Sequence, residues 1–172
     1  MKRSLVWMLG LTSILLTALP AQAQFANRSL GVSAGYIDFD RSAGLDGGLF
    51  LGLEGSLYIE NGFDLVSLSK ISFPRDPITG RRVVGLAPSV GIRYLILEES
   101  IRPYVGTDLS YLFVFTDAVT MNFVGIGPNV GIDYFVTDTV SLGARAQYNI
   151  YVMLNEPTQN SLTLSLGVAA YF

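Results

Sequence analysis

Residues 161–172 read Ser-Leu-Thr-Leu-Ser-Leu-Gly-Val-Ala-Ala-Tyr-Phe, and this stretch decides the fold. Leu162, Leu164, Leu166, Val168, Ala170 and Phe172 share one parity, while Ser161, Thr163, Ser165 and Gly167 share the other. Successive side chains on a strand point to opposite faces. This segment is therefore a strand with one large apolar face and one small, polar face.

The same two-faced pattern recurs upstream. Val140, Leu142, Ala144, Ala146, Tyr148 and Ile150 oppose Ser141, Gly143, Arg145, Gln147 and Asn149. Ile126, Pro128, Val130, Ile132, Tyr134 and Val136 oppose Gly125, Gly127, Asn129, Gly131 and Asp133. Val105, Leu109, Tyr111, Phe113 and Phe115 oppose Gly106, Asp108 and Ser110. Val84, Leu86, Pro88, Val90, Ile92, Tyr94 and Ile96 oppose Gly85, Ala87, Ser89, Gly91 and Arg93. Leu49, Leu51, Leu53, Leu57 and Ile59 oppose Phe50, Gly52, Glu54, Ser56 and Tyr58, and Leu30, Val32, Ala34 and Tyr36 oppose Ser29, Gly31, Ser33 and Gly35. A further strand spans 63–72, but its faces stay open, because Leu65 and Ile71 have one parity and Val66 and Leu68 the other. That makes eight strands. Asn61-Gly62 is a strong hairpin signal, since both residues tolerate positive φ.

An internal echo fixes the register of the second half. Gly85-Leu-Ala-Pro-Ser-Val-Gly-Ile-Arg-Tyr94 matches Gly125-Ile-Gly-Pro-Asn-Val-Gly-Ile-Asp-Tyr134. Two copies are too few for a propeller or solenoid. Pro88 and Pro128 fall at matching mid-strand positions, where each removes a ladder donor unless a bulge absorbs the loss.

Residues 1–23 form a separate unit. Lys2 and Arg3 precede an apolar run from Leu5 to Leu19, Pro20 breaks it, and Ala21-Gln22-Ala23 has the small-x-small form of a cleavage site. This pattern is that of a cleaved secretory signal peptide, which leaves residues 24–172 as the barrel domain. The alternative is an uncleaved anchor helix. Loss of Lys2 and Arg3 leaves 9 basic against 14 acidic side chains, a net charge of −5. No basic run remains to bind nucleic acid. There is no Cys, so neither a lipid-modified cysteine nor a disulfide is available.

Small residues suit the narrow interior of an eight-stranded barrel. Large apolar ones on the opposite face then suit lipid. The fold class is all-β: an eight-stranded antiparallel up-and-down transmembrane β-barrel. The alternative is a secreted soluble ligand-binding barrel with its Leu face turned inward. Tyr94, Tyr104, Tyr134 and Phe172 fall near strand ends on the periplasmic side, where an aromatic girdle would stand. Short turns at 61–62, 98–102 and 137–139 alternate with longer loops at 39–48, 74–82, 116–120 and 155–160, which should face outward.

Three phrases carry a family resemblance: Arg102-Pro-Tyr-Val-Gly106, Gly131-Ile-Asp-Tyr-Phe-Val-Thr-Asp138, and the terminal strand closing on Phe172. They resemble the small OmpA-like and OmpW-like outer-membrane barrels over the whole span from residue 24 onward. The resemblance implies a bacterial outer-membrane location, with lipid and lipopolysaccharide as surroundings. It also implies recognition by the barrel assembly machinery, through a signal formed by Leu164, Leu166, Val168, Ala170 and Phe172.

Catalytic chemistry is sparse. There is no His and no Cys, which removes Ser-His-Asp and Cys-His catalysis and His-based metal sites. Barrel phospholipases, lipid A acyl-modifying barrels and omptin-like proteases use His, so the chain does not match them. The reading is of a non-enzyme without cofactors. Glu54, Arg93, Asp108, Asp133 and Arg145 are expected inside the barrel. Arg93 should lie near Asp108 and Asp133 near Arg145, forming a plug of ion pairs, with a gated polar path as the sharper alternative. Pro74-Arg75-Asp76-Pro77 and Gly80-Arg81-Arg82 make one loop basic enough to meet lipopolysaccharide phosphates, although a solvated loop is the plainer reading. Asp38, Asp40 and Asp46 lack calcium-loop spacing. The expected function is structural or interactive, as part of an envelope assembly for motility, adhesion or secretion. The alternative is OmpW-like passage of small or hydrophobic solutes.

Overall fold

A computed structural model describes residues 27–40, 45–76, 80–115, 120–152 and 158–172. The leader at 1–23 lies outside these described residues. Eight strands follow in order: β1 (Arg28–Phe39), β2 (Asp46–Glu60), β3 (Phe63–Arg75), β4 (Val84–Leu95), β5 (Ile101–Phe115), β6 (Thr120–Thr137), β7 (Val140–Val152) and β8 (Gln159–Tyr171). Each pairs antiparallel with its chain neighbour, and β8 returns to β1, closing the barrel. Closure leaves no open sheet edge, as a hydrocarbon solvent that offers no hydrogen bonds demands. At the seam the Phe172 amide donates to the Arg28 carbonyl at 2.9 Å, and the Arg28 amide donates to the Phe172 carbonyl at 3.2 Å.

The exterior is apolar. Leu166 is 70% exposed, Leu49 66% and Val32 63%. In a water-soluble barrel these positions would be polar, so the soluble alternative is excluded by the direction in which the side chains point. Tyr94, Tyr134 and Phe172 stand on the outer surface near the turn end. Tyr104 does not. It is buried and points into the lumen, because it shares the parity of Gly106 and Asp108 rather than that of Val105.

The open question on β3 is settled by a bulge. Asn61 (φ 51°) and Gly62 (φ 83°) make the two-residue turn. A plain hairpin would then set Ile59, which faces out, opposite Asp64. Instead the register shifts between Tyr58 and Glu60, and Asp64 pairs with the inward-facing Tyr58. Asp64, Val66, Leu68, Lys70 and Ser72 therefore point inward, while Leu65, Ile71 and Phe73 point outward. Tyr58 also ties two turns together: its hydroxyl accepts from the Gly62 amide at 3.2 Å and donates to Glu98 at 3.1 Å.

No bulge absorbs the two mid-strand prolines. Pairing of β4 with β3 runs through Pro88, and pairing of β6 with β5 runs through Pro128. On the other side the ladders lapse, β4–β5 at Ala87 and Pro88, and β6–β7 at Gly127 and Pro128, and they resume without a change of register. Both prolines thus forgo bonding toward the following strand, at equivalent places in the two repeat copies.

Candidate functional site

The lumen has two zones. Toward the loop end, Ile37, Phe39, Phe50, Leu112, Val114, Phe123 and Tyr151 pack into an apolar cluster with Leu45, Val83 and Ala87. Most come from the loop-side ends of their strands, where large apolar residues fall on the inward parity. Toward the turn end the interior is ionic.

Two arginines organise the ionic zone. The Arg93 guanidinium lies 2.9 Å from Asp64, 3.3 Å from Glu54 and 3.5 Å from Asp133. Arg145 pairs with Asp108 and lies 3.5 Å from Glu54. Glu54 thereby bridges both cations. Asp108 also accepts from Asn129 at 3.3 Å and from Gln147 at 3.0 Å, and Gln147 Oε1 accepts from Lys70 Nζ at 3.0 Å. Arg93 stacks 4.9 Å from the Tyr104 ring centroid. At the turn-side mouth Arg102 lies 4.1 Å from the Phe135 ring, which packs at 4.8 Å against Tyr171.

The structure places Glu54, Arg93, Asp108, Asp133 and Arg145 on the inner face, yet the pairs inferred from neighbouring strands are exchanged. The ion pairs found are Arg93 with Asp133 and Arg145 with Asp108, rather than Arg93 with Asp108 and Asp133 with Arg145. The reason is reach. In a barrel this narrow an arginine spans to the second strand over, and glycines clear the way. Gly106 stands opposite Arg93, Gly91 and Gly127 opposite Asp108, Gly143 opposite Asp133, and Gly131 opposite Arg145. A Cβ at Gly143 would sit 2.7 Å from the Asp133 carboxylate, and one at Gly106 would sit 2.9 Å from Arg93 Cβ. Asp64 and Lys70 are members of this network that the sequence left out, because the bulge at Ile59 decides their face. A cavity of about 40 Å³ remains beside Glu54, Tyr104, Asp133 and Arg145, against the small residues Gly31, Ser33, Ser165 and Gly167. That is room for about one or two waters.

Leu164, Leu166, Val168, Ala170 and Phe172 form one exposed row on the outer surface of the seam. Among the described residues, no three His, Cys, Asp or Glu side chains converge as a metal site.

No protein-family model matches the chain, and no curated protein matches it in sequence. Solved structures do match it. Neisserial surface protein A is 19% identical, with 85% of this chain and 97% of that chain covered at a TM-score of 0.70. The N-terminal β-barrel domain of Pseudomonas aeruginosa OprF is 17% identical, with 87% and 100% covered at 0.63. The Pseudomonas aeruginosa outer membrane protein OprG is 11% identical, with 87% and 99% covered at 0.58. These likenesses concern the fold. The fold is that of a small eight-stranded β-barrel, and its apolar outer wall is one that suits lipid.

Proposed function

We propose that this barrel is a non-enzymatic membrane protein that acts through its outer wall and loops, as a structural or interacting member of a larger envelope assembly for motility, adhesion or secretion. The observation that carries the reading is the filled lumen. An ionic zone and an apolar cluster succeed each other along the axis, and the cavity between the ionic zone and the seam is only about 40 Å³. A solute crossing the lumen would have to part the ion pairs and then the apolar cluster. The exterior and the loops are left as working surfaces.

Cross-linking in intact cells is the test. A discrete band heavier than the monomer, recovered with the barrel, is the expected result. Monomer alone would overturn the assembly reading. Purified barrel in liposomes should show no solute flux, and flux that disappears when the loops are deleted would favour passage of small or hydrophobic solutes instead.

A further inference from the structure

We propose that Arg75 and Arg82 form a clamp for a phosphate group of the outer leaflet's phosphorylated glycolipid. The inference rests on the membrane reading above, with the loop end facing outward as in barrels of this kind.

Depth is the first argument. On β4 the outward residues run from Tyr94 at the turn end to Val84 at the loop end. At about 3.3 Å per residue and a tilt of about 40°, that run is roughly 25 Å tall, the height of the apolar band of such barrels. Val84 is flanked on β5 by Phe115, which stacks with Phe113, and on β3 by Phe73 at the same end of the hairpin. Arg82 precedes Val84, and Arg75 follows Phe73, each two positions further out. Both are exposed. The guanidiniums therefore stand about 5 Å above an aromatic belt, at the level of the headgroups.

Charge is the second argument. Arg75 and Arg82 are direct cross-strand partners in an isolated antiparallel bridge. Like charges set directly opposite one another destabilise a hairpin unless an anion lies between them. The described backbone on either side of this pair is nevertheless hydrogen-bonded. The Val83 amide donates to the Pro74 carbonyl at 2.9 Å, the Asp76 amide to the Arg81 carbonyl at 2.9 Å, and Gly80 closes the turn at φ 66°. Asp46, on the other flank of Arg75, is one carboxylate beside two guanidiniums. Of the other described acids of the loop end, Asp76 follows Arg75 with the opposite parity, and Asp38 and Asp40 belong to the β1 side. Two guanidiniums on paired backbone are suited to the several acceptor oxygens of a phosphate.

The test uses the folded, detergent-extracted protein and its R75Q/R82Q and R75K/R82K variants, titrated with bisphosphorylated lipid A, dephosphorylated lipid A, phosphatidylglycerol and inorganic phosphate. Bisphosphorylated lipid A should bind the parent roughly tenfold more tightly than R75Q/R82Q, the scale of two exposed ion pairs. The lysine variant should keep most of that affinity. Dephosphorylated lipid A should not distinguish the three proteins. Equal binding of bisphosphorylated lipid A to the parent and to R75Q/R82Q would overturn the clamp. So would phosphatidylglycerol or inorganic phosphate binding the parent as tightly as lipid A. The boiling-dependent gel shift separates the two readings. Its absence from the parent protein would defeat the barrel, whereas a retained shift with unchanged binding defeats the clamp alone.

Discussion

The Arg93 guanidinium meets the Asp133 carboxylate at 3.5 Å although the whole of β5 lies between their strands. Gly106, directly opposite Arg93, puts no side chain at that level, and the arginine passes over it. The interior thus joins cross-lumen ties to neighbour pairs such as Arg93 with Asp64, its direct partner on β3.

Removing one tie should leave its partners charged and buried. Arg93→Met is expected to destabilise the folded barrel by about 3–5 kcal/mol, the usual cost of stranding a buried charge. The further change Asp64→Asn in that background should recover part of the loss. Urea titration of the fraction that keeps its unboiled gel mobility measures both, and strictly additive losses would disprove the coupling.

Glycine clearance gives a second expectation. A Cβ at Gly106 would lie 2.7 Å from the Ile92 carbonyl and 3.0 Å from Asn129 Oδ1. Gly106→Val should therefore cost about 1–3 kcal/mol through overpacking. By contrast, Gly80 has no atom within 4 Å of an added Cβ, and its φ of 66° is one asparagine tolerates. Gly80→Asn should fold with unchanged stability in the same titration.

The lipid-facing wall can be probed at Leu166, which is 70% exposed and lies in the middle of β8. Leu166→Arg should reduce folding into lipid vesicles by about 2–4 kcal/mol, as charge at bilayer mid-depth does. Unimpaired folding would mean that this face meets water.

The proline lapses should be visible in hydrogen exchange. Amides of β5 opposite Ala87 and Pro88, and of β7 opposite Gly127 and Pro128, should exchange faster than those of the uninterrupted β7–β8 ladder. Pro128→Ala restores a donor, and it should slow exchange locally on β7. Uniform protection along both ladders would show that the lapses do not persist in solution.

Strand number, strand order and the inner or outer direction of Glu54, Arg93, Asp108, Asp133 and Arg145 were legible in the sequence, because parity alone specifies them wherever a strand has one consistently large face. Parity also implied an inward Tyr104, and the expectation of a girdle tyrosine went against it. Strand β3 resisted, since Val66 and Leu68 face inward while Leu65 and Ile71 face outward. Only the register shift at Ile59 separates the two choices.

Local chemistry by itself therefore determined an alternating, closed, lipid-covered barrel. Alternation with period two is a property of each strand, and lipid leaves no other way to satisfy the backbone. Tertiary structure decided who pairs with whom inside it. A bulge of one residue turned Asp64 and Lys70 inward, and the width of the lumen let Arg93 reach past β5 and Arg145 past β6. Both depend on distances across the closed barrel, which no spacing along the chain encodes.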